Sequence, residues 1–530
     1  MQHLTETTKS SFISSLGVNC PRFLRRTDLT PSLRLYIAYT ALMANILNGW
    51  GTITELSRQF QISRTFIYIL ASKLYVTSNV IFGTNIINPS VNEYVLPYHY
   101  MLSLRLEGRC SIESISSMMK RFDIDKSSVG SISQQLTYFG SLLPDTLSTD
   151  NNETKIVIFL SDEIFSKKTP ILVTVDPISS AILRIELADS RKAEDWKRHW
   201  KCLEENGLYA AYLVCDEGAG LCSGKKEALP DVLRQSDTYH AIAHQFGHWV
   251  ERLETSAYSA IQTEYDCHKK FDSACSDSAR EKRFSEIETA EKIAAEKIEL
   301  YENFRFLYKC LTGELLIFDK NGELRDRLHA EENIKAALDL IETLGESKIS
   351  EAVKKVRRTL PELLNYFDVA VEVVGRLNKL GIDQEALRAL CLAWQWDKGV
   401  IKAKKVKRSQ YCNDNKQFCL EFTEGLLQED YEDIKEQVFR ELDNIVQSSA
   451  LVECINSIIR PYLDSSKNQI SQETLNLIMF YHNHRRYNAG KRKGQTPMEI
   501  LTGKKQEKDW IELLIDVVNQ ADPSFFPPSK

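Results

Sequence analysis

The chain has 530 residues, of which 43% are hydrophobic, and its 67 Lys and Arg against 73 Asp and Glu give a formal net charge of -6 at pH 7. At about 100–200 residues per domain, this length predicts three or more domains. The composition excludes a disordered chain and a collagen-like fibre. The mild acidity argues against a protein that coats nucleic acid indiscriminately, because that role needs a broad positive field.

The cysteines and the hydropathy predict an intracellular protein. The 12 cysteines include no Cys-x-x-Cys pair, and the chain begins without the charged and apolar regions of a secretory signal. We therefore expect reduced thiols. No apolar run approaches the ~18–20 residues of a membrane helix, so we expect no membrane partner.

Two segments of the first 150 residues share one hydrophobic pattern. Each combines a short amphipathic helix, a tight turn and a second helix, which is the pattern of a helix-turn-helix. The two units are predicted at about 50–76 and 112–138, with a shift of 62 residues between them. The apolar positions are Ile53, Leu56, Phe60, Ile62, Ile67, Leu70 and Leu74 in the first unit, and Ile115, Met118, Phe122, Ile124, Val129, Ile132 and Leu136 in the second.

The second helix of each unit has early polar residues that can lie in a DNA major groove. Arg64, Thr65 and Tyr68 are the expected DNA contacts of the first unit, and Lys126 and Ser127 are those of the second. The alternative is a pair of helical hairpins that bind nothing, because any two short amphipathic helices can have this spacing.

From residue 155 the pattern changes from helical to β. Buried or alternating runs predict strands at 155–160, 171–175, 182–187 and 209–214, with a polar helix at 191–205 before the last of them. Three strands, a helix and a further strand are typical of the first half of an RNase H-like α/β fold.

The rest of the chain is predicted to be mainly helical. Residues 241–445 have this character almost throughout, including a long charged helix at 276–311. Another helix is expected to start near Glu441 and to stop at Pro461, since proline ends or kinks a helix. A helix at 472–481 precedes a basic segment, and residues 506–530 are expected to form a tail.

Three acids are candidate metal ligands because of their positions. Asp162 follows the first buried run, Asp216 follows the fourth predicted strand, and Glu453 lies in a helix that places Asn456 and Arg460 on the same face. Two strand ends and a helix can bring three carboxylates to a pair of Mg²⁺ or Mn²⁺ ions, which prefer oxygen ligands. Taken singly, each acid fits an ordinary surface carboxylate better.

These acids stand in motifs that resemble the catalytic core of bacterial insertion-sequence DDE transposases. The resemblance covers about 150–250 and 440–505 and is most specific at its end. The motifs are Ser161-Asp-Glu-Ile164, Val214-Cys-Asp-Glu217, Glu453-Cys-Ile-Asn456 with Arg460, Phe480-Tyr-His-Asn-His484, Arg485-Arg-Tyr487 and Gly494-Gln-Thr-Pro-Met-Glu-Ile-Leu-Thr-Gly503.

The resemblance implies that Asp162, Asp216 and Glu453 form a catalytic triad that holds two Mg²⁺ or Mn²⁺ ions per active site. The implied reaction cleaves DNA phosphodiester bonds to expose 3′-OH ends and joins those ends to target DNA. The implied partners are double-stranded DNA, as element terminal repeats and as target, and further copies of the chain in a homodimer or larger synaptic assembly. The implied location is the bacterial cytoplasm, at the nucleoid.

One departure from compact members of this family concerns the last acid, because Glu453 lies 237 positions after Asp216. The chain is therefore similar to transposases that insert a helical domain before it. The resulting prediction is a multidomain protein with an N-terminal helical part, an α/β RNase H-like core and a large all-α insertion. The predicted domains are 1–150 for DNA binding, 151–245 for the first part of the core, 246–440 for the insertion, 441–505 for the last part of the core and 506–530 for the tail.

The insertion contains a candidate surface for unstacked bases. Trp394 and Trp396 offer aromatic faces, and Lys404, Lys405 and Arg408 follow them as candidate phosphate contacts. The alternative is that both tryptophans belong to a core and that the basic run is a solvated loop.

Further candidates flank the predicted core. His240, in Asp237-Thr-Tyr-His240, resembles an element found after the second acid of such transposases, and it either approaches the scissile phosphate or is an ordinary strand-end histidine. Glu163 and Glu217 are expected to point away from the metal ions. The expected phosphate contacts near the active site, or else members of a solvated loop, are Arg485, Arg486, Lys491, Arg492 and Lys493.

Two other functions remain open at this point. The chain could be a domesticated, non-catalytic DNA-binding regulator, or an RNase H-like nuclease that cuts without joining. The presence of all three acids favours an enzyme. The two predicted DNA-reading units and the basic C-terminal run favour a transposase over a nuclease.

Overall fold

The computed structural model describes residues 28–47, 49–82, 95–149, 154–403, 405–467 and 469–526. The chain divides into two compact units, 1–93 and 94–530. Within the described ranges, no helix combines the length and the apolar composition that crossing a membrane requires.

The smaller unit is helical. Its helices are α1 (Pro31–Ile46), α2 (Thr52–Phe60) and α3 (Arg64–Phe82). α2 ends where Gln61 adopts a left-handed φ of 49°, and the Ser63 hydroxyl accepts the N–H of Phe66 at the start of α3. The core includes Leu56, Phe60, Ile62 and Ile67. The two helices and the tight turn of the first predicted unit are thus present, and their role in DNA reading stays a prediction.

The larger unit begins with helices that precede the sheet. They are α4 (Leu96–Leu102), which continues into a π-helical turn, α5 (Ile112–Arg121) and α6 (Val129–Ser141). The described strands then form one mixed sheet with two accompanying helices. These elements are β1 (Lys155–Ser166), β2 (Thr169–Val175), β3 (Ile182–Leu187), α7 (Ala193–Glu205), β4 (Leu208–Cys215), α8 (Ala219–Ala228) and β5 (Leu233–Ser236).

The sheet has the strand order β3-β2-β1-β4-β5. β1, β2 and β3 are antiparallel neighbours, whereas β4 is parallel to β1 and β5 is parallel to β4. The four strands and the helix expected from the sequence are confirmed, with β1 longer than predicted.

The part of the chain between β5 and residue 443 is mainly helical, as predicted. The helices are α9 (His244–Asp272), α10 (Asp277–Glu314), α11 (Arg327–Thr343), α12 (Ser347–Leu363), α13 (Tyr366–Asn378), α14 (Gln384–Lys402), α15 (Val406–Leu427) and α16 (Tyr431–Asp443). They enclose a hydrophobic core of their own, which includes Phe304, Ile334, Tyr366 and Leu390. The long charged helix expected at 276–311 is α10.

The C-terminal helices return to the sheet. They are α17 (Ala450–Ser465), α18 (Gln472–His484), α19 (Pro497–Thr502) and α20 (Trp510–Ala521). The helix that was expected to start near Glu441 and to stop at Pro461 instead starts at Ala450 and ends at Ser465, so both predicted bounds are wrong. The helix continues because Tyr462 and Leu463 are buried, which outweighs the hydrogen bond that proline removes. The tail prediction is also wrong for 510–526, since α20 buries Trp510 and Leu514.

The second predicted helix-turn-helix departs from the first. Residues 122–128 separate α5 from α6, whereas a helix-turn-helix has a turn of about three or four residues. Phe122 and Val129, the counterparts of buried Phe60 and Ile67, are 66% and 45% exposed. The predicted equivalence is wrong at these positions, because Phe122 lies in the longer loop and Val129 is only the first residue of the helix that follows it.

This second helix pair is packed on the C-terminal part of the same unit. Gly140 of α6 lies so close to Glu473 that a Cβ there would overlap the carbonyl oxygen of Glu473. The side-chain amide of Asn476 donates to the carbonyl oxygens of Gly140 and Leu143, at 3.1 and 2.8 Å. α5 and α6 therefore belong to the layer that covers the sheet.

Helices cover both faces of the sheet. On one face, Trp196 and Trp200 of α7 pack in a cluster with Phe159 of β1. On the other, Ile455 of α17 packs in a cluster with Leu160. Because successive strand residues point to opposite faces, even-numbered positions of β1 from 158 onward face α17.

Candidate active site

Asp162 on β1 and Asp216 directly after β4 occupy neighbouring positions, because β1 and β4 are parallel neighbours. Leu160 of β1 pairs with Val214 of β4, so the two acids, each two residues further on, lie at the same level and on the same face. Asp216 follows β4 directly, as predicted. Asp162 lies within β1 and not beyond its end, because the strand continues to Ser166 and pairs Asp162 with Val173 of β2.

The turn after β4 fixes the carboxylate of Asp216. Its Oδ1 accepts the N–H of Gly218 at 2.8 Å. A Cβ at Gly218 would lie 3.0 Å from the same oxygen. Glycine therefore gives this carboxylate room at the start of α8.

α17 brings the third acid and its two neighbours to the same region. Nδ2 of Asn456 donates to Oδ2 of Asp162 at 2.8 Å. The carboxylate oxygens of Glu453 lie 3.7 Å from Nε2 of His240 and 3.9 Å from a guanidinium nitrogen of Arg460. The structure thus brings together all six residues that the sequence nominated for the acidic triad (Asp162, Asp216 and Glu453) and its surroundings.

Asp162 is electrostatically unfavourable in its ionised form. Burial raises the pKa of Asp162 to about 8, and the negative charges of Glu453 and Asp216 contribute to the rise. A carboxylate removed from water beside two others is costly unless a cation compensates it. The site therefore favours the binding of positive charge.

The donor set fits a pair of hard divalent ions. It consists of carboxylate oxygens, which Mg²⁺ and Mn²⁺ prefer. The ligand oxygens of the triad do not all lie within 4.8 Å of one another, so the triad is not a tight single-ion cluster. A pair of ions ~3.5–4 Å apart requires a wider arrangement of carboxylates.

The one cluster of this tight kind in the described part of the chain lies elsewhere. It consists of Glu264, His268 and Glu291, on α9 and α10. Nε2 of His268 is 3.2 Å from Glu291, and both side chains are about half exposed. A surface ion pair accounts for this cluster.

The acids next to the two aspartates engage other partners. Oε1 of Glu163 accepts a hydrogen bond from Arg191 at 2.7 Å, and Glu163 pairs with Leu172 on the α7 face. Oε1 of Glu217 accepts from Arg234 at 2.8 Å. Both side chains thus have a basic partner, as expected of acids that point away from the metal ions, although burial and the negative charge of Asp216 still raise the pKa of Glu163.

The predicted DNA contacts of the two N-terminal helix pairs are accessible. Arg64, Thr65 and Tyr68 are exposed on α3, in the smaller unit. In the larger unit, Lys126 is exposed and Ser127 is half-buried. Their contact with DNA stays a prediction.

The prediction that Trp394 belongs to an aromatic surface for unstacked bases is wrong. Its side chain is 3% exposed, in the core of the insertion. Trp396 is half-buried and meets the ring of Tyr411 edge-on at 5.7 Å. Arg408 lies over that ring at 5.3 Å, and Lys405 is exposed. Lys404 lies outside the described residues.

The basic segment after α18 is partly used for internal contacts. Arg492 donates to the carbonyl oxygens of Pro177 and Ile178 in the β2–β3 turn. Arg486 is paired with Glu499 at 2.8 Å. Arg485 lies over the rings of Tyr481 and Tyr487. Lys491 and Lys493 are exposed.

The contacts of two acids near the site were not predicted from the sequence, although one of them, Asp237, stands in the motif that ends at His240. Asp443 accepts hydrogen bonds from Nε1 of Trp394 and Nζ of Lys398, both at 2.9 Å, and pairs with Lys491. Asp237 accepts hydrogen bonds from Ser449, at the start of α17. Both contacts join parts of the chain that are remote in sequence, which periodicity does not indicate.

No protein-family model matches the chain, and a search of curated proteins returned no significant relative.

Proposed function

We propose that this protein is a DDE-type DNA transposase, which cleaves DNA and joins the resulting 3′-OH ends to target DNA with two Mg²⁺ or Mn²⁺ ions. The observation that carries the proposal is the meeting of Asp162 on β1 and Asp216 directly after the parallel strand β4 with Glu453 and Asn456, 237 or more positions later. Each of these residues also stands in one of the sequence motifs that resemble the family.

The sheet supports an RNase H-like core. Three antiparallel strands, a helix and a fourth strand parallel to the first follow one another along the chain. Helices on both faces, with the acids on the α17 face, agree with the same fold.

The residues of the site have separable roles in the proposed reaction. The triad would hold the two ions, and Asn456 would orient Asp162 by donating to Oδ2. When bound, the ions supply activation of the attacking oxygen and stabilisation of the leaving oxygen. Arg460, whose side chain is 59% exposed, can donate to a phosphate oxygen beside Glu453. Catalysis then depends mainly on positioning and charge neutralisation.

DNA binding is proposed for surfaces beyond the triad. The first helix pair, with Arg64, Thr65 and Tyr68, would read the terminal repeats, and Lys126 and Ser127 would contribute from the larger unit. Tyr411, Arg408 and the half-buried Trp396 replace Trp394 as the candidate stacking surface in the insertion, because Tyr411 and Arg408 are exposed and Trp396 is less buried than Trp394. A homodimer or larger assembly at the bacterial nucleoid would complete the synaptic complex.

A strand-transfer assay tests the proposal. The full chain is incubated with Mg²⁺ or Mn²⁺, a supercoiled plasmid and labelled duplexes taken from the DNA on both sides of its gene. We expect labelled duplex ends joined covalently to the plasmid. Cleaved duplex without joining would favour the nuclease, and binding without cleavage would favour the regulator.

A further inference from the structure

The helical insertion is closed at its base by a set of hydrogen bonds. The chain leaves the sheet after β5 at Asp237 and Thr238, and it returns at Gln447 and Ser449. The N–H and Oγ1 of Thr238 both donate to the carbonyl oxygen of Gln447, at 3.0 and 2.8 Å. The N–H of Ser449 donates to Oδ2 of Asp237 at 3.0 Å, and its hydroxyl donates to the same oxygen. These four residues are called the Asp237 clasp below.

The Asp237 clasp leads directly to the helix that carries Glu453. The carbonyl oxygen of Ser449 accepts the N–H groups of Val452 and Glu453, at 2.9 and 3.3 Å. Asp237 and Ser449 are 2% and 3% exposed. A buried carboxylate that accepts several hydrogen bonds has little freedom to move. The position of Asp237 therefore sets the first turn of α17.

The same residue is tied to the strand that carries Asp216. The N–H of Asp237 donates to the carbonyl oxygen of Cys215 at 3.2 Å, and Cys215 directly precedes Asp216. On its other side, Oδ1 of Asp237 accepts the N–H of His240 at 3.2 Å. Asp237 thus connects the backbones of the two acids and also fixes the turn that holds His240.

We infer that Asp237 is a positioning residue, which holds Glu453 at the spacing from Asp216 that the two ions require. The inference rests on the proposed function. Asp237 acts through Ser449 and the first turn of α17 and is not itself a ligand. Through the clasp, the base of the insertion and the triad form one connected unit.

Asp237→Asn breaks the clasp with little change of shape. Oδ1 and Oδ2 each accept a backbone N–H, from His240 and Ser449 respectively. Whichever way the amide is turned, its NH₂ group meets one of these donors. Ser449→Ala removes only the hydroxyl and is the milder variant. Asp383→Asn is the matched control, since one oxygen of Asp383 caps α14 by accepting two N–H groups, and an amide oxygen can do the same.

Mn²⁺ binding to the full chain, measured by calorimetry without DNA, tests the inference. We expect Asp237→Asn to weaken Mn²⁺ binding roughly 10-fold or more, as loss of an outer-shell partner does, with a smaller effect of Ser449→Ala and none of Asp383→Asn. We also expect Asp237→Asn to add nothing further in a Glu453→Gln background, because both changes act on one ligand.

Three results would overturn the inference, and they differ in what they say of the proposed function. Unchanged Mn²⁺ affinity in both Asp237→Asn and Ser449→Ala, with weakened binding in Glu453→Gln, would overturn the positioning role alone. Additive losses in the double variant would do so too. The third result is that the unaltered chain does not bind Mn²⁺, or that Asp162→Asn leaves its Mn²⁺ binding unchanged. In that case the proposed function would fail, and the inference would fail with it.

Discussion

The side-chain amide of Asn456 donates to Oδ2 of Asp162 across 294 positions of sequence, at 2.8 Å. Asn456 is fully buried and Asp162 is half-buried, so the contact is partly shielded from water. It is the direct link between the helix of the third acid and the strand of the first.

Replacing Asn456 by Asp tests this link. The change keeps the shape and turns the donor into an acceptor that faces a carboxylate. We expect strand transfer to fall by about 10–100-fold, with a higher Mn²⁺ concentration needed for half the maximal rate. Asn415→Asp, the same change in α15, is the control. Equal activity of the Asn456→Asp protein would contradict an orienting role for Asn456.

A pair of glycines in α6 tests how the second helix pair is packed. Gly140→Ala places a Cβ against the carbonyl oxygen of Glu473, whereas a Cβ at Gly130 meets nothing within 4 Å. We expect Gly140→Ala to lower the free energy of unfolding by about 1–3 kcal/mol, as overpacking does. Gly130→Ala should raise it by up to about 1 kcal/mol through helix propensity. Urea denaturation measures both, and equal effects at the two positions would refute the packing of α6 on α18.

Two buried histidines predict a loss of stability in mild acid. Burial lowers the pKa of His199 and of His482 to about 4, from an ordinary value of 6.5. Between these values the unfolded chain binds a proton at each histidine and the folded chain does not. The free energy of unfolding therefore falls as the pH falls from 6.5 towards 4, by roughly 2 kcal/mol per histidine between pH 7 and pH 5.

Denaturation curves at pH 7 and pH 5 measure this effect. In the His482→Gln protein, the part of the pH-dependent change in the free energy of unfolding that the two histidines cause should be about halved, because Gln does not titrate. An unchanged pH dependence in that variant would mean that His482 is protonated as readily in the folded chain as in the unfolded one.

Asp443 is expected to restrain DNA binding by the lysines it contacts. It pairs with Lys398 of α14 and with Lys491 of the basic segment. Asp443→Asn retains an oxygen for Nε1 of Trp394 and removes the charge that holds both lysines. We expect tighter binding of a random-sequence duplex. The affinity should also fall more steeply with salt concentration, by the amount that about one or two additional phosphate contacts produce. Fluorescence anisotropy across a salt series measures both, and an unchanged slope would show that neither lysine reaches DNA.

The sequence was informative where a local pattern determines the structure. Buried or alternating apolar runs predicted β1 to β4, and the position of Asp216 after a strand placed it beside Asp162. The resemblance of the motif Glu453-Cys-Ile-Asn456 to a known family predicted that Glu453 would join them, although 237 positions intervene.

The sequence was uninformative where contacts depend on packing between remote segments. The helix pattern around Trp394 is the same whether the ring faces the core or solvent, and the core of the insertion decides the outcome. The Asp237 contact with Ser449 depends on where the insertion returns to the sheet. The repeat of 62 residues failed at Phe122 because matching apolar positions do not reveal the length of a loop.

The most direct test of the central claim compares each triad acid with its neighbour in the strand-transfer assay. We expect Asp162→Asn, Asp216→Asn and Glu453→Gln each to reduce joining by about 1,000-fold or more, since each removes part of several kcal/mol of transition-state stabilisation by the ions. Glu163→Gln and Glu217→Gln, which change acids directed elsewhere, should retain joining within about 10-fold. Undiminished joining by the three triad variants would contradict the account.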